Sequence, residues 1–124
     1  MRILVVDDNE RVRHGIAGVL SYEQDWQVCG EAIDGSDAIE KTRELRPDLV
    51  LLDVSMPGID GLETARQLRR QHPLVKIIIL SQHDPAALLP QALEAGANGC
   101  VDKSRVGTEL PKAIKSMFGG SKPG

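Results

Sequence analysis

Aromatic side chains are nearly absent: Tyr22, Trp26 and Phe118 are the whole set in 124 residues. A stacking platform for nucleobases or a flavin ring needs several such rings, so their scarcity argues against sites of that class. Cysteine is as sparse. Cys29 and Cys100 are too few for a disulfide framework and have no metal-ligand spacing, so they read as two small core residues. There is no excess of positive charge either. The formal net charge is −3, which argues against a chain that grips nucleic-acid phosphates by itself or sits on an anionic membrane. No apolar run nears the ~20 residues of a bilayer span. The first residues enter a strand-like run with no leader pattern, so the expected compartment is the cytoplasm.

What is present suits one soluble domain with one core: 41% apolar and 27% charged residues. The domain is expected to span 1–118, with GGSKPG (119–124) as a flexible tail or the start of a linker. Strand-like runs fall at 2–6, 26–32, 48–52, 75–80 and 98–101. Between them apolar residues recur at helical spacing, as in Val12, Ile16, Val19 and Leu20. The spacing predicts a helix capped by Asn9 and a second one capped by Ser36 after an Asp34-Gly35 turn, stopped by Pro47. A third carries Leu62, Ala65 and Leu68 to about Gln71. A fourth opens at Asp84-Pro85, faces inward with Leu88, Leu89, Ala92 and Leu93, and closes at Gly96. The last carries Val106, Leu110, Ala113, Ile114 and Met117. Five βα units in a row, with strands apolar at nearly every position, predict a doubly wound α/β fold whose five-stranded parallel sheet is covered on both faces.

In such a sheet ligands bind beyond the carboxyl ends of the strands. The run "LVLLDVSMPGIDG" delivers Asp53 there, straight out of a buried strand, where an unpaired carboxylate is costly. The first strand delivers Asp7 and Asp8, the fourth Ser81, and the fifth Asp102 and Lys103. Each has an ordinary reading: a solvated strand end, a turn residue, a surface lysine. Their joint arrival at one rim is harder to dismiss. Acids so close repel one another unless a cation intervenes, and Mg²⁺ suits oxygen ligands of this kind. Lys103 offers a point charge for an anion and Ser81 a hydroxyl donor. The set fits phosphoryl chemistry, with Asp53 as the nucleophile.

In order and spacing the constellation resembles the response-regulator receiver domain of two-component signalling. The likeness runs from "ILVVDDNERVR" through "PDLVLLDVSMPGIDGLE" and "KIIILSQHD" to "AGANGCVDKS". It implies a flavodoxin-like sheet of order 2-1-3-4-5. It implies that Asp53 accepts phosphate from a sensor histidine kinase, and that Asp8, Asp53 and the Ser55 carbonyl ligate Mg²⁺ while Asp7 helps through a water. Lys103 would pair with the phosphoryl group and Ser81 would swing to bond it. Pro57 and Gly58 would shape the adjoining loop, and Ser55 and His83 would line the approach to Asp53. "LSQHD" and "AGANGCVDKS" resemble in particular the subfamily whose receivers precede a helix-turn-helix domain, absent from this chain. DNA would then be met only through that domain, and phosphorylation would either drive homodimerisation or release the output domain, a choice the sequence leaves open; a stand-alone regulator is the alternative.

Three positions depart from the pattern. Cys100 stands where an aromatic switch residue is usual, and Ser104 where Pro usually follows a cis bond. Pro90 falls inside the fourth helix if that helix starts at Pro85, and harmlessly in its first turn if the helix starts near Leu89. With strand order 2-1-3-4-5, Cys29 and Cys100 lie four strand steps apart, ~19 Å, far beyond the ~7 Å reach of a disulfide. Both should be free thiols. Rival readings are a degenerate receiver that no longer takes phosphate, a Mg²⁺-dependent phosphohydrolase and a flavin carrier. The adjacent Asp7-Asp8 pair disfavours the phosphohydrolase and the scarcity of aromatics the carrier.

Overall fold

A computed structural model describes residues 1–54, 60–82 and 84–118. Five strands, β1 (Arg2–Val6), β2 (Gln27–Ala32), β3 (Leu49–Asp53), β4 (Lys76–Ser81) and β5 (Gly99–Asp102), form a parallel sheet in the order β2-β1-β3-β4-β5. The intervening helices are α1 (Glu10–Leu20), α2 (Gly35–Leu45), α3 (Gly61–Gln71), α4 (Pro85–Glu94) and α5 (Val106–Phe118), the last preceded by a single 3₁₀ turn over Lys103–Arg105. The doubly wound, flavodoxin-like expectation holds. Most strands run one residue later than expected, which makes Asp53, Ser81 and Asp102 the final residues of their strands.

Alternation along the strands sorts the core into two layers. Ile3, Val5, Leu49, Leu51, Ile78 and Leu80 pack with Ile16 and Leu20 of α1 and Leu110 and Ile114 of α5. Leu4, Val6, Val50, Leu52, Ile77 and Ile79 pack under α2, α3 and α4, against Ala38, Ala65, Leu68 and Ala92. Every one of these is essentially inaccessible to water. Each buried Leu, Ile or Val contributes roughly 1.5–3 kcal/mol, so these rows can carry the cost of charged groups at the rim.

Carboxylates and amides start the helices. Asn9 caps α1, accepting from the Val12 N–H, and Asp60 and Asp84 cap α3 and α4. For α2 the cap is Asp34, which accepts from the Asp37 N–H, and not Ser36 as expected. Asp34 is extended and its carboxylate reaches three residues ahead, so Gly35 is already helical and Ser36 falls within the first turn. Helix α4 starts at Pro85, so Pro90 is interior and the late start near Leu89 does not occur. Leu93, expected inward, is 51% exposed; Ala92 takes the buried position. Pro111 likewise lies inside α5.

Gly96 closes α4 with φ +98, a backbone region L side chains rarely adopt. Arg69 of α3 fixes that corner: Nε donates to the Gly96 carbonyl at 3.0 Å and Nη2 to Asn98 Oδ1 at 3.0 Å. Cys29 and Cys100 are free thiols on strands at opposite sheet edges. Cys29 falls where the β1–β2 register slips by one residue. Among the described residues no peptide is cis, the Lys103–Ser104 bond included, and no helix is long and apolar enough to cross a membrane.

Candidate functional site

The sheet reverses direction of growth at β1 and β3, and the acids sit just beyond the carboxyl ends of those two strands. Asp7 continues the β1 ladder by one bond, its N–H donating to the Ala32 carbonyl at 3.0 Å. Its Oδ1 accepts from the Asn9 N–H at 2.9 Å. Asp53 ends β3 beside Leu80 of β4. Asp7 and Asp53 are fully buried, whereas Asp8 is exposed. Asp7, Asp8 and Asp53 each bring a carboxylate oxygen within 4.8 Å of the others.

Lys103 answers this charge. Its Nζ lies 2.8 Å from Asp7 Oδ2 and 2.9 Å from Asp53 Oδ2, with the side chain only 10% exposed. Burial acts against the ammonium, but the bonds and attraction from Asp7 and Asp53 outweigh it and raise the Lys103 pKa above its ordinary value. Three carboxylates against one ammonium leave two negative charges at the rim. That surplus, an all-oxygen donor set and one exposed carboxylate fit a hard divalent cation such as Mg²⁺, which keeps part of its water shell.

Ser81 is buried at the end of β4, paired with Asp102 of β5. By alternation it continues the Ile77–Ile79 face under α4, while Asp53 continues the Leu49–Leu51 face. Cys100, opposite Ile79, packs on the same α4 side as Ser81. An open cleft of about 580 Å³ adjoins it, lined by Asp84, Asp102, Arg105, Glu109 and Lys112 among others. Burial raises the Cys100 thiol pKa, helped by the Asp102 charge. Asp102 is occupied in capping the 3₁₀ turn. Its Oδ1 accepts from the Ser104 hydroxyl at 2.7 Å and the Ser104 N–H at 2.9 Å, which lowers its pKa. Ser55, Pro57, Gly58 and His83 lie outside the described residues, as does 119–124.

The structure also brings in two residues that the motif reading missed. Arg13 donates from Nη1 to the Asp7 carbonyl at 2.8 Å and from Nε to Glu31 Oε1 at 2.6 Å. The signals were present: a basic residue one turn past the Asn9 cap, and a lone acid one place before the end of β2.

Comparison with known proteins agrees with this geometry. The family model of the response regulator receiver domain matches residues 3–115. The chain is 41% identical over 122 residues to the response regulator GacA of Pseudomonas viridiflava, covering 98% of this chain and 57% of that protein. It therefore spans little more than half the length of such relatives. A LuxR-family two-component response regulator from Aurantimonas sp. SI85-9A1 superposes with TM-score 0.89 at 36% identity, covering 96% of this chain and 85% of that one. The signal receiver domain of the putative response regulator NarL from Mycobacterium tuberculosis gives 0.85 at 37% identity, with 94% of each chain covered. Such a match over nearly the whole chain sets aside the phosphohydrolase and flavin-carrier readings. With its acid trio, its lysine and its strand order all in place, this chain belongs to the response regulator receiver domain family.

Proposed function

We propose that Asp53 is the phosphoacceptor of a two-component pathway, charged by a sensor histidine kinase. The observation that carries this reading is Lys103 Nζ within 3 Å of both Asp7 and Asp53, beside Asp8. A carboxylate oxygen of Asp53 attacks phosphorus. The P–N bond of the donor phosphohistidine breaks, its electron pair leaves with the ring nitrogen, and an acyl phosphate forms. Lys103 already lies at the Asp53 carboxylate and would pair with the incoming phosphoryl oxygens. Asp8, Asp53 and the Ser55 carbonyl would hold Mg²⁺, with Asp7 acting through a water. When bound, the metal neutralises charge on the phosphoryl oxygens.

Phosphorylation adds about two negative charges and three acceptor oxygens. Ser81 would bond one of them from the α4 side of the sheet, moving residues 82–87 and the surface of α4, β5 and α5. No aromatic ring reports the change here. Cys100 lines the cleft where the aromatic is usual, so the signal would travel by backbone shifts or another route. Switching from 1% to 99% active requires ~5.5 kcal/mol of differential stabilisation, within reach of several charge-assisted bonds. The output would be a transcriptional domain beyond this chain, as in LuxR-type regulators, with a homodimer favoured on phosphorylation.

The test is incubation with phosphoramidate and Mg²⁺, read by intact mass. Wild type should gain one phosphoryl group and Asp53→Asn none. Lys103→Ala should retain some uptake yet lose the accompanying change in α4. A folded wild type that gains no mass favours the degenerate receiver instead.

A further inference from the structure

The acid pocket is only as well placed as the backbone that carries it. Asp8 is the exposed member of the trio, and its carboxylate makes no hydrogen bond or ion pair among the described residues. Its position is inherited from the peptide it shares with Asp7. That peptide is planar, so whatever holds the Asp7 carbonyl also holds the Asp8 nitrogen. Arg13 does so, from Nη1 at 2.8 Å. The same guanidinium is held from Nε by Glu31 at 2.6 Å, with the Arg13 side chain 13% exposed. Glu31 is braced in turn: its carbonyl accepts from Lys41 Nζ at 2.6 Å, and Lys41 pairs with Asp37 at 3.2 Å. The contacts run from α2 through β2 and Arg13 of α1 to the Asp7 carbonyl just past β1, and they leave the carboxylates of the trio and Lys103 untouched.

We propose that Arg13 is a positioning residue for the metal-binding dipeptide Asp7-Asp8, with Glu31 as its anchor. The inference rests on the phosphoacceptor reading, since it assigns a purpose to the placement of these acids. The planar fork of Arg explains the residue type. Two N–H vectors at a fixed angle meet a backbone carbonyl and a carboxylate at once, which a Lys ammonium on a flexible stem does not reproduce. Metal sites depend on such outer contacts, whose loss typically weakens metal affinity by about 10- to 100-fold.

The sign of the effect separates positioning from charge. Arg13 is a cation near a cation site, so if only its charge mattered, removing it would tighten Mg²⁺ binding. If it positions Asp7-Asp8, removing it weakens binding. Mg²⁺ titration of the whole chain by calorimetry, alongside backbone NMR of Asp7, Asp8 and Asn9, reads this directly. Arg13→Ala should bind Mg²⁺ about tenfold more weakly, with the three amides shifted or broadened. Arg13→Lys keeps the charge and should show most of the same loss. Glu31→Gln keeps an acceptor oxygen for Nε and should lose less than either. Should Arg13→Ala fail to fold, Arg13→Lys decides. Binding by folded Arg13 variants that equals or exceeds wild type overturns the proposal while leaving the phosphoacceptor reading intact. A wild type that neither binds Mg²⁺ nor takes phosphate overturns both.

Discussion

Lys103 and Asp53 stand 50 residues apart in sequence and 2.9 Å apart in space, Nζ to Oδ2. The contact exists because β3 and β5 flank β4 and end at the same rim. With Asp7 on its other side, Lys103 is the counter-ion to two buried carboxylates.

Lys103→Met should therefore cost about 3–5 kcal/mol of stability at neutral pH, the usual result of stripping one partner from a buried ion pair. The Lys103 pKa is raised on folding, so its contribution is complete below the ordinary lysine value of about 10.4 and fades as pH climbs through the higher folded value. Urea melts of both proteins should show a gap that stays open through pH 10 and narrows only in stronger alkali. Added Mg²⁺ should raise the Tm of Lys103→Met more than that of wild type, because a cation then relieves unscreened acids.

Gly61→Ala should damage the site from behind. A Cβ there would lie 2.6 Å from the Val54 Cα and 3.1 Å from the Asp53 carbonyl oxygen. Neither backbone atom can yield without displacing the end of β3. A loss of about 1–3 kcal/mol is expected, together with slower phosphoryl uptake, whereas Gly18→Ala, with open space around it, should leave uptake unchanged. Equal uptake by Gly61→Ala and wild type would show that the Asp53 backbone tolerates the push.

Pro90→Ala should stabilise the protein, by up to about 3 kcal/mol. Proline at the sixth position of α4 leaves the Ala86 carbonyl without its helical donor, and the side chain is exposed, so no packing is lost. The denaturant midpoint should rise. Amide exchange across 86–94 should slow, and the response of α4 to phosphorylation should weaken if a soft helix serves the switch.

Ser104→Ala should raise the Asp102 pKa toward the ordinary aspartate range, since the Ser104 hydroxyl is the leading cause of its depression and the backbone N–H the next. A depressed folded pKa means that the stabilisation holds above the ordinary value of about 3.9 and is lost as pH falls through the lower folded value. Carboxyl NMR titration of Asp102 in both proteins checks this; identical curves would assign the depression elsewhere.

The fold was legible because β1, β3 and β4 are apolar on both faces, and only a sheet covered on two sides buries such runs. The rim was legible because acids interrupt those runs at Asp7 and Asp53. Local competition was harder to read. Asp34 and Ser36 are both good caps, and only the extended backbone at Asp34 decides between them. Pro90 is tolerated inside α4 because the helix is anchored at both ends, by the Asp84 cap and the Arg69 clamp on Gly96. Arg13 and Glu31 each stand at a legible position, one turn past a cap and next to a strand end, but their partnership crosses from α1 to β2, and no spacing rule joins residues of different elements.

The most direct measurement is where the phosphoryl group lands. The protein would be phosphorylated with phosphoramidate and Mg²⁺, reduced with borohydride to convert the acyl phosphate to homoserine, and sequenced by mass spectrometry. Homoserine at position 53, and its absence from Asp53→Asn, is the expected result. Homoserine at Asp7, Asp8 or Asp102, or none in a folded and Mg²⁺-loaded wild type, would contradict the central role given to Asp53.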